Sequence, residues 1–373
     1  MNATTTAHLD DTDVEAFAAE LDRIREEIIA ERGESDARYI RRVIAVQRTL
    51  EAAGRAALLV SLFPPAWAAG TAMLATAKIL DNMEIGHNVL HGQWDWMRDP
   101  KIHSTTWEWD ALTPAAWKHT HNDLHHRWTN VLGRDRDVGY TVLRMSQDQP
   151  WRPDHLVQPL YNAALAPLFE WGIAIFDLEF EAAVQGRKTW RTLFGELRAL
   201  ASKAGRQIGK DYLLFPLLAG PSALTCLLGN LTAATTRNIW SHAIIFCGHF
   251  PDGTQTFREE EIEGETRGRW YLRQLLGSAN IEGGPLFHVL SGNLGHQIEH
   301  HLYPDLPSNR YAQIAPRVRE LCDKYRLPYT TGPLGKQYRQ AWKRVLRLAL
   351  PDQETIARAF YPGAPGGLGR RRP

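Results

Sequence analysis

Two charge-poor stretches limit what this 373-residue chain can fold into. In the first, within residues 37–86, residues 56–63 carry no charge, Pro64-Pro65 marks a turn, and residues 66–80 are apolar except for Lys78. In the second, residues 212–228 carry no charge, Gly229-Asn230 punctuates, and residues 231–250 hold only Arg237. A membrane-crossing helix needs roughly 20 apolar residues. The first arm reaches that length only by including Arg48, Glu51 and Arg55. The pattern predicts an all-α membrane protein with four transmembrane helices in two hairpins. Arg41, Arg42 and Arg48 before the first hairpin favour a cytoplasmic N-terminus. Residues 159–180, interrupted by Glu170 and Asp177, read as an interfacial or packed helix.

Hairpins return the chain to the side it started from. That side receives the histidines. Eight of the 15 lie in three clusters: His87-Asn-Val-Leu-His91, His121-Asn-Asp-Leu-His125-His126 and His296-Gln-Ile-Glu-His300-His301. One cluster follows the first hairpin, one lies beyond it, and one follows the second. The expectation is a histidine-rich helical cap on the cytoplasmic face of an integral inner-membrane protein.

Residues four apart on a helix share a face, so each His-x-x-x-His can clamp one ion. Adjacent histidines diverge by about 100° on an α-helix. Each His-His doublet can therefore offer one ring to each of two ions. Eight imidazoles exceed the four ligands of a tetrahedral zinc. The zinc-protease pattern His-Glu-x-x-His is absent, and Glu84-Ile-Gly-His87 is the only Glu-x-x-His. Carboxylate di-iron bundles need two of those. Imidazole accepts iron, copper, nickel and zinc, so the clusters imply a two-metal site without choosing the metal.

The remaining composition excludes several classes. A net charge of +1 gives no case for a nucleic-acid partner. The three cysteines form no Cys-x-x-Cys. The acidic start lacks the basic and apolar regions of a secretory signal. Val14, Phe17, Leu21, Ile24 and Ile28 recur at helical spacing before Gly33. The division expected is a disordered lead and amphipathic helix over 1–36, a membrane domain over 37–350, and a disordered Gly/Pro-rich tail over 351–373.

The text around the clusters is more specific than the clusters alone. It reads His87-Asn-Val-Leu-His91-Gly-Gln-Trp-Asp-Trp, then His103-Ser-Thr-Thr-Trp-Glu-Trp-Asp110. Next come His121-Asn-Asp-Leu-His125-His126-Arg-Trp-Thr-Asn130 and Gly133-Arg-Asp-Arg-Asp137. The last is His296-Gln-Ile-Glu-His300-His301-Leu-Tyr-Pro-Asp-Leu-Pro-Ser-Asn-Arg310. In this order, over residues 40–345, the chain resembles the membrane fatty-acid desaturases, in particular their bacterial acyl-CoA and linoleoyl-CoA-like branch.

The resemblance implies two iron ions, with O2 as co-substrate, held by His87, His91, His121, His125, His126, His296, His300 and His301. It adds one histidine from the last membrane helix. His242 fits through Asn238-Ile-Trp-Ser-His242, with Asn238 acting through water, and His249 fits through Ile-Phe-Cys-Gly-His249-Phe-Pro. His249 ranks ahead. Gln297 stands where many relatives begin His-x-x-His-His, a replacement shared with front-end desaturases. Asp135 and Asp137 are candidate acceptors for ligand N–H groups. Trp107, Trp109 and Asp110 are candidates for lining an acyl tunnel.

The implied activity is cis desaturation of a long-chain fatty acyl-CoA, at the Δ9 position. Fatty-acid or alkane hydroxylases of the same histidine-box class are the alternative, and a non-catalytic membrane metal-binding protein is a remoter one. The chain has no cytochrome b5 signature His-Pro-Gly-Gly, no rubredoxin cysteines and no Gly-x-Gly-x-x-Gly. Electrons are thus expected from a separate NAD(P)H-dependent reductase or a ferredoxin.

Overall fold

The computed structural model describes residues 3–108 and 114–351. Trp109, Asp110 and all but the first residue of the tail expected over 351–373 lie outside them. The described chain is mostly helical. Helix α1 (Asp11–Glu31) starts at a reciprocal cap, with the Asp13 N–H donating to Asp10 at 2.8 Å. Its apolar stripe, Val14, Phe17, Leu21, Ile24 and Ile28, is buried in a core shared with Tyr271, Tyr303 and Tyr311. The predicted amphipathic helix is thus docked on the domain. The lead is not featureless: Ala3–Thr6 forms a helical turn, and His8 Nε2 lies 2.9 Å from the Tyr325 carbonyl.

Helices α2 (Glu34–Leu59) and α3 (Pro64–Leu80) form the first hairpin, as the Pro64-Pro65 turn predicts. They touch at two glycines. A Cβ on Gly54 would sit 2.9 Å from the Gly70 carbonyl, and one on Gly70 would sit 3.0 Å from the Gly54 carbonyl. Only hydrogen at both positions allows this approach.

The second hairpin turns at a different place from the one expected. Helix α6 (Ala223–His249) runs unbroken through Gly229-Asn230. The break falls at Gly220–Ser222, where Gly220 takes φ +53° and Pro221 follows. Gly229 is a packing glycine: a Cβ there would lie 2.6 Å from Leu58 and 3.0 Å from Thr71. The side-chain amide of Asn230 donates to the Cys226 carbonyl at 2.9 Å, and its oxygen accepts from Arg55 at 3.3 Å. The incoming arm is α5 (Trp190–Ile208) with its continuation Gly209–Leu218.

Among the described residues, no helix is long and apolar enough to cross a membrane. The apolar part of α3 is only 17 residues long. α2 carries charge up to Arg55, and α6 buries Arg237, Asn238 and His242. Four spanning helices are therefore not evident from helix length and hydropathy. The hairpins are joined by buried charge: Asp211 accepts from Arg55 and from Lys78, each at 2.7 Å.

The cap contains helix α4 (Phe169–Phe176) before α5, and α7 (Arg267–Gly277), α8 (Gln297–Leu302), α9 (Tyr311–Lys324) and α10 (Leu334–Ala349) after α6. Among the described residues, the departures from an all-α fold are a parallel pair, β1 (Asn280–Glu282) with β2 (Thr331–Pro333), and an isolated parallel bridge between Val131 and Phe257.

Candidate metal centre

The first two histidine clusters start on π-helices, with His91 and His126 just beyond their ends. One spans Asp81–His87 at the end of α3, the other Lys118–His125. Single π turns are rare and concentrate at functional sites. The first is pinned from outside by Glu84. That buried carboxylate accepts from Tyr39 at 2.9 Å, Ser308 at 2.6 Å and Asn293 at 2.9 Å. His87 and His91 keep an α-helical step, the His91 N–H donating to the His87 carbonyl at 3.2 Å, whereas the widened turn lies between His121 and His125; both steps bring the rings together.

Two groups form. The donor nitrogens of His87, His91, His121 and His300 lie within 4.8 Å of one another, and so do those of His125, His126 and His301. The groups adjoin, with ring centroids 4.5 Å apart for His91 and His126. His249 joins the second group, its Nε2 3.1 Å from His301 Nε2. The His300-His301 doublet is split between the groups as the doublet argument predicts. His125 and His126 instead fall together in one group; His126 also faces His91 at 4.5 Å and His300 at 4.7 Å.

Five of the rings are oriented from behind. His125 Nδ1 lies 3.0 Å from Asp135, and His301 Nδ1 lies 3.1 Å from the Gln274 side-chain oxygen. His87 Nδ1 lies 3.2 Å from Asn88, His300 Nδ1 3.3 Å from the Tyr311 hydroxyl, and His249 Nδ1 3.3 Å from the Gly277 carbonyl. Asp135 is itself fixed by the Asn130 N–H at 2.7 Å. Asp137 stands 3.5 Å from His121 and 3.7 Å from His125. Such outer contacts set which ring nitrogen carries the proton and which faces a metal.

Four of the inward nitrogens have no protein partner. Nε2 of His91, His121, His126 and His300 are buried without a hydrogen bond. Orphaned buried polar atoms are costly and rare in a folded protein. Burial holds the pKa of His91, His121, His126, His300 and His301 well below the ordinary histidine value, leaving neutral rings with free lone pairs. His125 goes the other way. Burial acts to lower it, but Asp135 and Asp137 together raise it to about 9. Neutral, inward-facing imidazoles in two adjoining groups are a donor set that fits metal ions.

Two expected ligands are not brought in. His242 is stacked on Phe246 at 4.0 Å, with Nε2 3.0 Å from Asn162 and Nδ1 3.3 Å from the Tyr338 hydroxyl. His296 stacks on His288 at 4.1 Å. Its neighbour Gln297 occupies the inward position, with its amide nitrogen 3.0 Å from His249 Nε2 and its oxygen buried and unpartnered. Gly248 leaves room for it, since a Cβ there would come within 2.8 Å of the Gln297 side chain.

A cavity opens from the imidazoles between α4 and α6, lined by Trp117, Tyr140, Phe169, Ile173, Ile245 and Phe250 among others. Trp107 does not line it; its ring packs in the clusters around Leu90 and Trp117. Asn238 does line it, about three helical turns from His249. The aromatic lining and the supports Gln274 and Tyr311 carry no sequence signal, whereas Thr129 and Asn130 lie inside the motif of the second cluster.

Residues 63–333 match the family model described as fatty acid desaturase. The chain is 52% identical to the NADPH-dependent stearoyl-CoA 9-desaturase of Mycobacterium tuberculosis, over 93% of this chain and 82% of that protein. It is 25% identical to the sn-1 linoleoyl-lipid 6-desaturase of Synechocystis, over 72% and 76%. Identity to the acyl-lipid (7-3)-desaturase of Diacronema lutheri is 31%, over 61% and 51%. Imidazoles gathered at the head of an apolar cavity thus agree with what the whole sequence resembles, and the chain belongs to the fatty acid desaturase family.

Proposed function

We propose that this protein is an oxygen-dependent acyl-CoA desaturase that introduces a cis double bond at the 9-position of a long saturated chain. The single observation that carries the reading is the set of buried, partnerless imidazole nitrogens at the head of an apolar cavity. The name of the mycobacterial relative supplies the substrate class and the position.

Two irons would be held by His87, His91, His121 and His300 on one side, and by His125, His126, His301 and His249 on the other. When bound, such a centre supplies the activation of O2 and the oxidising power to remove two hydrogens. The protein's own part is positional. Asp135, Gln274, Tyr311 and Asn88 fix the rings through Nδ1. Gln297 reaches the same space as His249 and stands ready to position a water there. The aromatic walls exclude bulk water and align the acyl chain. Electrons would come from a separate NADPH-dependent reductase, with or without a ferredoxin.

The hairpins would sit in the inner membrane with the centre facing the cytoplasm. Supporting this, their tips and outer faces expose Leu62, Phe63, Leu217, Leu218 and Leu224. The membrane domain would span residues 37–350, preceded by the docked helix α1.

The test is expression in a desaturase-deficient host, with lipid mapping. A product lacking two hydrogens, with a cis bond at the 9-position, supports the reading. A product that has gained an oxygen assigns a hydroxylase instead.

A further inference from the structure

One side of the cavity is not apolar. Glu170 lines it and forms a buried ion pair with Arg237, whose side chain is 1% exposed. Gln207, one of only two buried residues of α5, donates to the same carboxylate oxygen at 3.0 Å. The other oxygen, Oε1, is buried with no partner, and so is the side-chain oxygen of neighbouring Asn238.

The position of this cluster follows from two helices. On α6, Asn238, Ser241, Ile245 and His249 line the cavity on successive turns. On α4 and its end, Glu170, Ile173 and Asp177 do the same. Asp177 bonds Thr120, next to His121, and feels the charge of Asp137, and so marks the metal end. Glu170 meets Arg237 and marks the opposite end. The cavity is a slot between α4 and α6 with imidazoles at one end and charge at the other. From His249 to Asn238 it runs about 16 Å at 1.5 Å per residue. With about 1.3 Å per methylene, from C–C bonds of ~1.5 Å, and with space given to the imidazole, it holds on the order of ten methylenes beyond the reacting pair.

We propose that the Glu170–Arg237 pair, with Gln207 and Asn238, is the floor of the acyl slot and sets the longest chain the enzyme accepts. This rests on the acyl-CoA desaturase reading above. A methyl group that reaches the floor meets desolvated charge and gains nothing from contact with it. A longer chain must displace the pair or withdraw its reacting carbons from the imidazoles. The unpartnered Oε1 gives the floor a second property: it can accept a hydrogen bond from a hydroxyl at the chain's far end.

The experiment uses the full-length enzyme with its reductase and a series of saturated acyl-CoAs. For the wild type, kcat/KM should fall about tenfold once the chain outgrows the slot by about two carbons. Replacing the pair together, Glu170→Leu with Arg237→Met, removes the charge without stranding either partner. This variant should regain about tenfold on the overlong chain, with the double bond at the same distance from the carboxyl end. An unchanged length profile in a metal-loaded variant overturns the proposal.

The wild type alone gives a test that needs no variant. An acyl-CoA of slot-filling length bearing a terminal hydroxyl should be desaturated at least as well as its methyl counterpart. Rejection of the hydroxyl by about tenfold or more means an apolar floor and overturns the proposal. Failure to desaturate any acyl-CoA overturns the parent reading, and this one with it.

Discussion

Two of the molecule's buried polar clusters differ in one respect. Around Asp211, every charge is answered: Arg55 and Lys78 each reach the carboxylate at 2.7 Å, and Arg55 also holds Glu51 at 3.0 Å. Around the histidines, five Nδ1 atoms are held by protein groups, while Nε2 of His91, His121, His126 and His300 is buried without a partner. A satisfied cluster has spent its donors and acceptors on the fold. An unsatisfied one retains them for something else, since the cost of leaving them empty must be offset by a ligand. Both would look alike in a list of buried polar residues.

The largest effects should come from breaking the unsatisfied cluster. His301→Ala or His125→Ala removes an inward nitrogen from the second group. Each should abolish product and bound iron while the far-ultraviolet circular dichroism stays helical. Metal analysis with a product assay checks this, and wild-type iron content in either variant would remove that residue from the ligand set. Breaking the satisfied cluster should do the reverse. Asp211→Ala strands buried Lys78 and leaves Arg55 with Glu51 and Asn230, and breaking a buried pair in this way costs roughly 3–5 kcal/mol. Its thermal unfolding midpoint should drop clearly, while the protein that remains folded still binds iron at the wild-type ratio.

An intermediate effect should follow from loosening a support. Asp135→Asn keeps the shape but removes the charge behind His125. Outer contacts of this kind are worth about 10–100-fold in metal affinity or activity. The loss should appear in a metal-competition titration, and an unchanged affinity would mean that Asp135 serves only the Asn130 turn.

Acid should separate the clusters by sign. Rings held below the ordinary value of ~6.5 stay neutral in the fold but take up protons once unfolded. His91, His121, His126, His300 and His301 all belong to this class. The metal-free protein should therefore lose stability as pH falls through about 6.5. His125, raised to about 9, contributes stability that is fully present below ~6.5 and is lost as pH rises through about 9. Unfolding midpoints of the chelator-treated protein should peak between these limits, and a flat acid limb would contradict the buried neutral rings.

Much of the site was legible in the sequence, and the reasons for the rest are physical. Spacing identified seven of the imidazoles that gather, because i to i+4 pairs and doublets constrain direction even on an altered helix. It could not foresee the π turns; the first contains Glu84, which is anchored by Tyr39, Asn293 and Ser308 from distant parts of the chain. The first hairpin was legible from Pro64-Pro65. The second was misplaced because Gly229-Asn230 has the composition of a turn but serves as a packing notch beside Leu58 and Thr71. The apolar part of the cavity lining was not legible: Phe169 and Ile173 read as any apolar helix until α6 is laid against them.

The smallest effects are expected at two histidines that spacing favoured. His242 lies seven residues before His249, about two helical turns, so sequence allowed both to face the same site. Their partners distinguish them. Both nitrogens of His242 have partners, Asn162 and the Tyr338 hydroxyl, while His249 presents Nε2 to His301 and Gln297. His296 has a buried, unpartnered Nε2, but the ring stacked against it is His288, outside both groups. His242→Gln and His296→Gln should each keep iron within about twofold of the wild type, whereas His249→Gln should lose it, since a glutamine cannot replace an imidazole lone pair at this site. Loss of iron in the His242 variant at unchanged folding would mean that hydrogen-bond satisfaction does not separate ligands from structural histidines in this protein.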